Sequence, residues 1–252
     1  WATIMRDRFG ATDERSLKLR FHAQTAGVSL TAQQPHNNVT RTAIQALAAV
    51  LGGANSLHTN SLDEALSLPT RDAAVLALRT QQVLALESGV ADHVDPLGGS
   101  YFVESLTRDM EAGAQSYFER IDARGGMVAA IEEGFPQREI AESAYRFQRE
   151  VESGERTVVG VNAFADESRS RIETLYLGED TADEQCAALA RLRQTRDATA
   201  VDHALDALRE AALGPENLMP FLLDAVRSYA TVGEMCDALR DAWGEYEEAA
   251  VI

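Results

Sequence analysis

Short strand-like runs alternate with longer amphipathic helices over residues 1–160, and this alternation limits the possible folds more than any other feature. Residues 19–24, 56–60 and 90–94 form the three strand-like runs. The segments between and after them carry apolar side chains at helical spacing, for example Ile44, Leu47, Ala48 and Leu51. Strands separated by helical crossovers predict a parallel sheet, and therefore an α/β fold class.

Three strands are too few to close an eight-stranded barrel, and they would leave unpaired sheet edges. Two interpretations remain open on this pattern alone. Either the chain forms a small open sheet, or the missing strands lie elsewhere.

The remainder of the chain has no strand-like run. Residues 161–180 have mixed character and predict a linker. Beyond them, apolar stripes follow helix-start signals, with capping boxes at residues 181–184 and 231–234. We therefore predict an α/β domain over residues 1–160, a linker over residues 161–180, and a helical extension over residues 181–252.

Charge and composition exclude several classes of function. The formal net charge of −17 argues against nucleic acid as a partner, because such a surface repels phosphate. No apolar run approaches the roughly 20 residues that span a bilayer, so no membrane insertion is expected. The two cysteines fit neither a disulfide framework nor a zinc site, and no secretion signal is visible. We expect no metal site and a cytoplasmic location.

Polar residues at the ends of the strand-like runs are the candidate functional groups. His22 and Gln24 share one face, because side chains alternate along a strand. In a closed α/β barrel that face is the interior, and the active site lies at the carboxyl ends of the strands. The alternative is that both are hydrogen-bonded polar residues of an ordinary core.

Two loops allow both a structural and a functional interpretation. Residues 61–64 fit a capping box in which Glu64 bonds back to the backbone at Ser61, but the same carboxylate could accept hydrogen bonds from a ligand. Residues 95–100 are rich in glycine, which suits either an ordinary tight turn or close backbone approach to a ligand.

Several longer segments are similar to one enzyme family. They are residues 20–35, 37–38, 56–60, 63–65, 95–101, 125–127 and 160–162. In this order they resemble the catalytic barrel of the methylmalonyl-CoA mutase family. The resemblance extends from Trp1 to Tyr246 and is most specific before Asn162.

The resemblance implies a fold, an activity and a cofactor. The fold would be the C-terminal half of a (β/α)8 TIM barrel followed by a helical extension. The enzyme would be an isomerase that uses adenosylcobalamin to interconvert (R)-methylmalonyl-CoA and succinyl-CoA, starting from homolysis of the cobalt–carbon bond. A closed barrel suits this chemistry because a carbon radical must be kept from water.

The resemblance also assigns residues, although no catalytic residue is certain in this half. It places four of them on the cofactor side: Gln24, Gly27, Glu64 and Ser67. It places three on the substrate side: His22, Arg15 and Asn55. Three positions depart from the family pattern, since Asn55 replaces a common glutamine, Ser67 a frequent alanine and His36 a frequent tyrosine.

Parts of the family enzyme do not occur in this sequence. The N-terminal barrel half is missing, and so is the Asp-x-His-x-x-Gly motif of the cobalamin-binding domain. We expect the N-terminal barrel half and a cobalamin-binding small subunit to be partners in a hetero-oligomer that binds acyl-CoA. The chain alone is expected to be inactive.

Other functions remain open on the sequence. Isobutyryl-CoA, ethylmalonyl-CoA and 2-hydroxyisobutyryl-CoA mutases share these motifs, although Gly98-Gly99 and residues 35–38 favour the methylmalonyl type. A different class would be a non-catalytic half-barrel that serves as a scaffold or interaction subunit.

Overall fold

The computed structural model describes residues 1–166, 172–178 and 180–247. The chain divides into two compact units, of which the first is Trp1–Leu175 and the second begins at Tyr176. This boundary lies inside the predicted linker, of which residues 167–171 and 179 are outside the described residues.

The first unit contains two short strands and six helices among its described residues. The strands are β1 (His22–Gln24) and β2 (Ser56–His58). The helices are α1 (Ala2–Asp7), α2 (Asn37–Leu51), α3 (Arg71–Glu87), α4 (Tyr101–Asp122), α5 (Met127–Glu132) and α6 (Phe135–Ser153). The predicted α/β class is confirmed at this level, and the half-barrel stays a prediction.

The two strands are parallel and in register, with Ala23 opposite Leu57. Ala23 and Leu57 are half-buried, whereas their neighbours along each strand are exposed. Helix α2 connects the strands and packs against β2 and α3. This strand–helix–strand unit is the crossover that the spacing predicts, and it leaves one face of the sheet open.

The third predicted strand, residues 90–94, is wrong. Residues Val90–Asp92 form a 3₁₀ turn that Gly89 starts in the left-handed conformation (φ 73°). The Asp92 N–H donates to the Gly89 carbonyl at 3.1 Å, and Val94 is 99 % exposed. The apolar residues Val90 and Val94 suggested a strand, but the turn that begins at Gly89 pairs the backbone N–H of Asp92 locally instead.

The predicted capping box at residues 61–64 is also wrong. Residues 62–66 form turns, and α3 begins only after Thr70, whose hydroxyl accepts from the Ala73 N–H at 3.2 Å. The buried Asp63 links the two parts, accepting from the Ser61 hydroxyl at 2.6 Å and from the Thr70 N–H at 2.9 Å.

The second unit is helical. It contains α7 (Asp180–Thr195), α8 (Ala198–Ala212), α9 (Met219–Arg227) and α10 (Val232–Trp243), and α8 packs against both α9 and α10. Its core includes Val201, Leu208, Ala225 and Ala238. The capping box at residues 231–234 is confirmed, whereas α7 begins one residue before Thr181.

No helix among the described residues combines the length and the apolar character that crossing a membrane requires.

Candidate functional site

The open face of the two-stranded sheet carries four polar side chains. His22 pairs in register with Ser56, and Gln24 pairs with His58, so all four project from the same face. His22 Nδ1 lies 2.8 Å from the Ser56 hydroxyl oxygen. The alternative that His22 and Gln24 are buried core residues is wrong, because both are exposed in this chain.

A buried pair joins the carboxyl ends of the two strands. The side chains of Thr25, after β1, and Asn60, after β2, hydrogen-bond at 2.8 Å. The Asn60 N–H also donates to the Thr25 hydroxyl at 2.9 Å. In the amide orientation that satisfies both of its ends, Asn60 donates to the Thr25 carbonyl and accepts from the Gly27 N–H at 3.3 Å. This pair therefore fixes the backbone beyond both strands.

Gly27 and Glu64 meet at this end of the sheet. A Cβ atom on Gly27 would lie 3.0 Å from the Asn60 amide group and 3.6 Å from Glu64 Oε1. A glycine is thus needed if these neighbours are to stay where they are. The family resemblance placed both residues on the cofactor side, and the structure brings them together.

The Glu64 carboxylate is exposed, and with the described residues it forms no hydrogen bond or ion pair. It lines a recess of about 260 Å³ together with His58, Thr59, Ser61 and Gln81. Asp63, and not Glu64, accepts the hydrogen bonds from Ser61 and Thr70 that hold this loop. The Glu64 carboxylate can therefore accept hydrogen bonds from a ligand. Gln24 lies beside His58, one of the lining residues, in the register of the sheet.

Three predicted site residues lie elsewhere. Asn55 precedes β2, at the opposite end of the strands, and its side-chain oxygen accepts from the Phe21 N–H at 3.0 Å. The Ser67 hydroxyl lies 3.0 Å from the Leu68 carbonyl and 3.0 Å from the Leu175 carbonyl. Arg15 lies in an exposed turn before β1. The structure does not bring these three side chains to Gly27 and Glu64.

Other residues of the matched segments support loops. Asn38, which is fully buried, donates to the Thr31 and Leu62 carbonyls at 2.9 Å each. Asn162 donates to the Val151 carbonyl at 2.7 Å and accepts from the Val158 N–H at 2.7 Å. In both residues the side-chain amide is therefore engaged by the backbone of nearby loops and helix ends.

The 95–100 loop is a turn in this structure. The Gly98 N–H donates to the Asp95 carbonyl at 3.0 Å, and a Cβ on Gly98 would lie 2.5 Å from the Asp95 carboxylate. Glu104 of α4 accepts from the Gly99 N–H at 3.0 Å. The structural interpretation of this segment therefore accounts for its glycines.

Sequence reasoning did not assign His58, Asn60 or Thr25 to the site. His58 could have been found, because it follows Ser56 by two residues and a parallel register places it beside Gln24. The Thr25–Asn60 pair has no local signal, since 35 residues separate its members.

Comparison with known proteins identifies the family. Residues 1–245 match the family described as methylmalonyl-CoA mutase. The chain is 46 % identical to the 2-hydroxyisobutanoyl-CoA mutase large subunit of Aquincola tertiaricarbonis, over all of this chain and 45 % of that protein. It is 47 % identical to the methylmalonyl-CoA mutase of Escherichia coli, over 94 % of this chain and 34 % of that protein.

A third relative is the methylmalonyl-CoA mutase of Rhizobium meliloti, at 45 % identity over 98 % of this chain and 35 % of that protein. The chain thus spans less than half the length of these three relatives. Since the family match extends over residues 1–245, this chain belongs to the methylmalonyl-CoA mutase family.

Proposed function

We propose that this chain is part of an adenosylcobalamin-dependent acyl-CoA mutase that interconverts (R)-methylmalonyl-CoA and succinyl-CoA. In this proposal the first unit is the C-terminal half of a TIM barrel. One observation carries the proposal: Gly27 and Glu64 converge at the carboxyl ends of two parallel strands, next to an open polar face. Active sites of α/β barrels lie at that end of the strands.

The residues around Gly27 fit the cofactor. The absence of a side chain at Gly27 lets the edge of a large ligand approach the backbone, and the Glu64 carboxylate can accept hydrogen bonds from hydroxyl or amide donors. Adenosylcobalamin carries both kinds of donor. When bound, it supplies the radical chemistry, while Glu64 and Gln24 orient it and the strand ends exclude water.

His22 is proposed to act on the substrate side. Its Nδ1 is engaged by the Ser56 hydroxyl, which leaves Nε2 to face a ligand. If Ser56 donates to Nδ1, Nε2 carries the proton and can donate to the carbonyl oxygen of an acyl-CoA thioester. Arg15 and Asn55 are not needed for this arrangement, although Arg15 remains free to meet the CoA portion.

The proposal requires other polypeptide segments. Two strands cannot enclose a corrin, so the N-terminal barrel half and a cobalamin-binding subunit or domain would complete the site. The test is to purify this chain alone and together with those segments, and to measure adenosylcobalamin binding and isomerisation of methylmalonyl-CoA.

We expect turnover from the assembly only. Turnover by the isolated chain would refute the split-site proposal. An assembly that forms but binds no adenosylcobalamin would refute the mutase proposal and would favour the non-catalytic scaffold.

A second substrate assignment has its own support. The relative named 2-hydroxyisobutanoyl-CoA mutase large subunit matches the whole of this chain. Moreover, Asn38 and Gly98, which favoured the methylmalonyl type, are engaged in loop contacts and do not line the recess beside Glu64. They therefore give no physical reason for preferring one acyl group.

The four candidate substrates are compared by assaying the assembly with methylmalonyl-CoA, 2-hydroxyisobutyryl-CoA, isobutyryl-CoA and ethylmalonyl-CoA under identical conditions. We expect the highest kcat/KM with methylmalonyl-CoA. A higher kcat/KM with any of the other three would replace the proposed substrate.

A further inference from the structure

Gln45, on helix α2, holds the turn that follows β1. Its side-chain oxygen accepts from the Ala26 N–H at 2.6 Å, and its side-chain nitrogen donates to the Ser29 hydroxyl at 2.7 Å. The Ser29 hydroxyl in turn donates to the Ala26 carbonyl at 2.6 Å. The side chain of Gln45 is half-buried against this turn.

These three hydrogen bonds form a closed ring, so the orientation of each group is determined. The Gln45 oxygen must face the Ala26 N–H, because the opposite orientation would place two donors against each other. Ser29 then accepts from Gln45 and donates to Ala26. Hydrogen bonds in such a ring polarise one another, which makes the ring stiffer than three separate contacts.

The turn held by this ring carries Gly27. On its other side, Asn60 accepts from the Gly27 N–H at 3.3 Å in its satisfied orientation. Gly27 is therefore fixed from two directions, by α2 through Gln45 and by the segment after β2 through Asn60. The distance between Gly27 and the Glu64 carboxylate depends on both supports.

We infer that Gln45 is a positioning residue, which sets the width of the gap between Gly27 and Glu64 and thereby the affinity of this end of the sheet for adenosylcobalamin. The inference rests on the proposed function. Gln45 does not line the recess beside Glu64, so it acts through the turn and not by contact with the ligand.

Two variants separate the hydrogen bonds from the volume of the side chain. Gln45→Leu removes the donor and the acceptor while nearly keeping the volume. Gln45→Glu keeps the acceptor for Ala26, and the Ser29 hydroxyl can turn to donate to the carboxylate. The matched control is Gln115→Leu on α4, since the exposed side chain of Gln115 donates to the exposed Glu119 carboxylate at 3.2 Å.

The measurements use the complete mutase that contains this chain. Absorbance titration gives the Kd for adenosylcobalamin, and hydrogen exchange of the peptide covering residues 25–31 reports the stiffness of the turn. We expect Gln45→Leu to weaken binding about tenfold and to raise exchange, because two hydrogen bonds are lost. The Kd of Gln45→Glu should stay within about threefold of the wild-type value.

The outcomes distinguish this inference from the proposed function. A wild-type mutase that binds no adenosylcobalamin refutes both. If the wild type binds adenosylcobalamin and Gln45→Leu binds it with the same Kd, only the role of Gln45 is overturned. The same holds if the Kd of Gln45→Glu is raised as much as that of Gln45→Leu. If Gln45→Leu fails to fold, Ser29→Ala breaks the same ring by removing one oxygen, and an unchanged Kd in that variant overturns the inference.

Discussion

Glu234 provides a pH-dependent test of how the helical unit is held together. It accepts from two nitrogens of Arg196, at 2.7 and 2.5 Å, and from the Thr231 N–H at 2.8 Å. The side chains are only 10 % exposed for Arg196 and 22 % for Glu234. These contacts connect the end of α7 to the start of α10.

The hydrogen bonds from Arg196 are the main reason that the pKa of Glu234 is lowered from 4.5 to about 2. Such a fall corresponds to about 3 kcal/mol, because one pKa unit is worth about 1.4 kcal/mol. The folded state has the lower pKa, so this stabilisation is complete above pH 4.5 and is lost as the pH falls towards 2.

The test compares the wild type with Glu234→Gln by urea unfolding at pH 7 and pH 3. At pH 7 we expect the variant to be less stable by about 2 to 3 kcal/mol, since the charge is lost and one amide hydrogen faces Arg196. At pH 3 the difference should shrink, because the wild-type carboxylate no longer contributes its full stabilisation. Far-UV circular dichroism follows the helices.

A matched control is Asp224→Asn, which removes an exposed ion pair with Arg227 whose side chains are 66 % and 74 % exposed. Such pairs contribute little, so this variant should resemble the wild type at both pH values. A stability difference for Glu234→Gln that is the same at pH 7 and pH 3 would refute the reasoning, since the effect would then not come from the ionised carboxylate.

Three further substitutions test the site in the first unit. Glu64→Gln should leave the melting temperature unchanged and weaken adenosylcobalamin binding by the assembly about tenfold or more. Equal Kd values for the variant and the wild type would contradict a role for the charge of Glu64. Gly27→Val should raise the same Kd, because its Cβ alone would lie 3.0 Å from the Asn60 amide group. An unchanged Kd would show that no ligand approaches the backbone at Gly27. Asp63→Ala should lower the free energy of unfolding by about 2 to 4 kcal/mol, because Ser61 and Thr70 lose their buried acceptor, and urea unfolding that matches the wild type would rule this out.

The local parts of the fold follow from the sequence, and the errors arise where a local pattern has two physical outcomes. Helix α2 is predicted by its apolar spacing, and the capping box at residues 231–234 appears as expected. Ser61 and Glu64 fit the same capping pattern, but the chain turns at Asp63 and uses Thr70 instead. The four residues 61–64 cannot show whether a helix begins at Ser61 or after Thr70, because that depends on whether the carboxylate of Asp63 or of Glu64 becomes buried.

The candidate site shows a similar limit. Gly27 and Glu64 were assigned by resemblance and are found together, whereas Ser67 is held by the Leu175 carbonyl, 108 residues further along the chain. Asn55 pairs with the backbone of Phe21 before the strands begin. A contact between residues so far apart in sequence leaves no trace in local spacing, so only the folded chain reveals which polar side chains remain available.

The matched segments therefore contain two kinds of residue with different meaning for function. One kind is hydrogen-bonded to backbone atoms or neighbouring side chains, as are Asn38, Asp63 and Asn162. The exposed carboxylate of Glu64, by contrast, remains available to a ligand among the described residues. Residues of the first kind fix the fold. Relatives with different named substrates match this chain with nearly equal identity, so identity by itself cannot decide between the acyl groups.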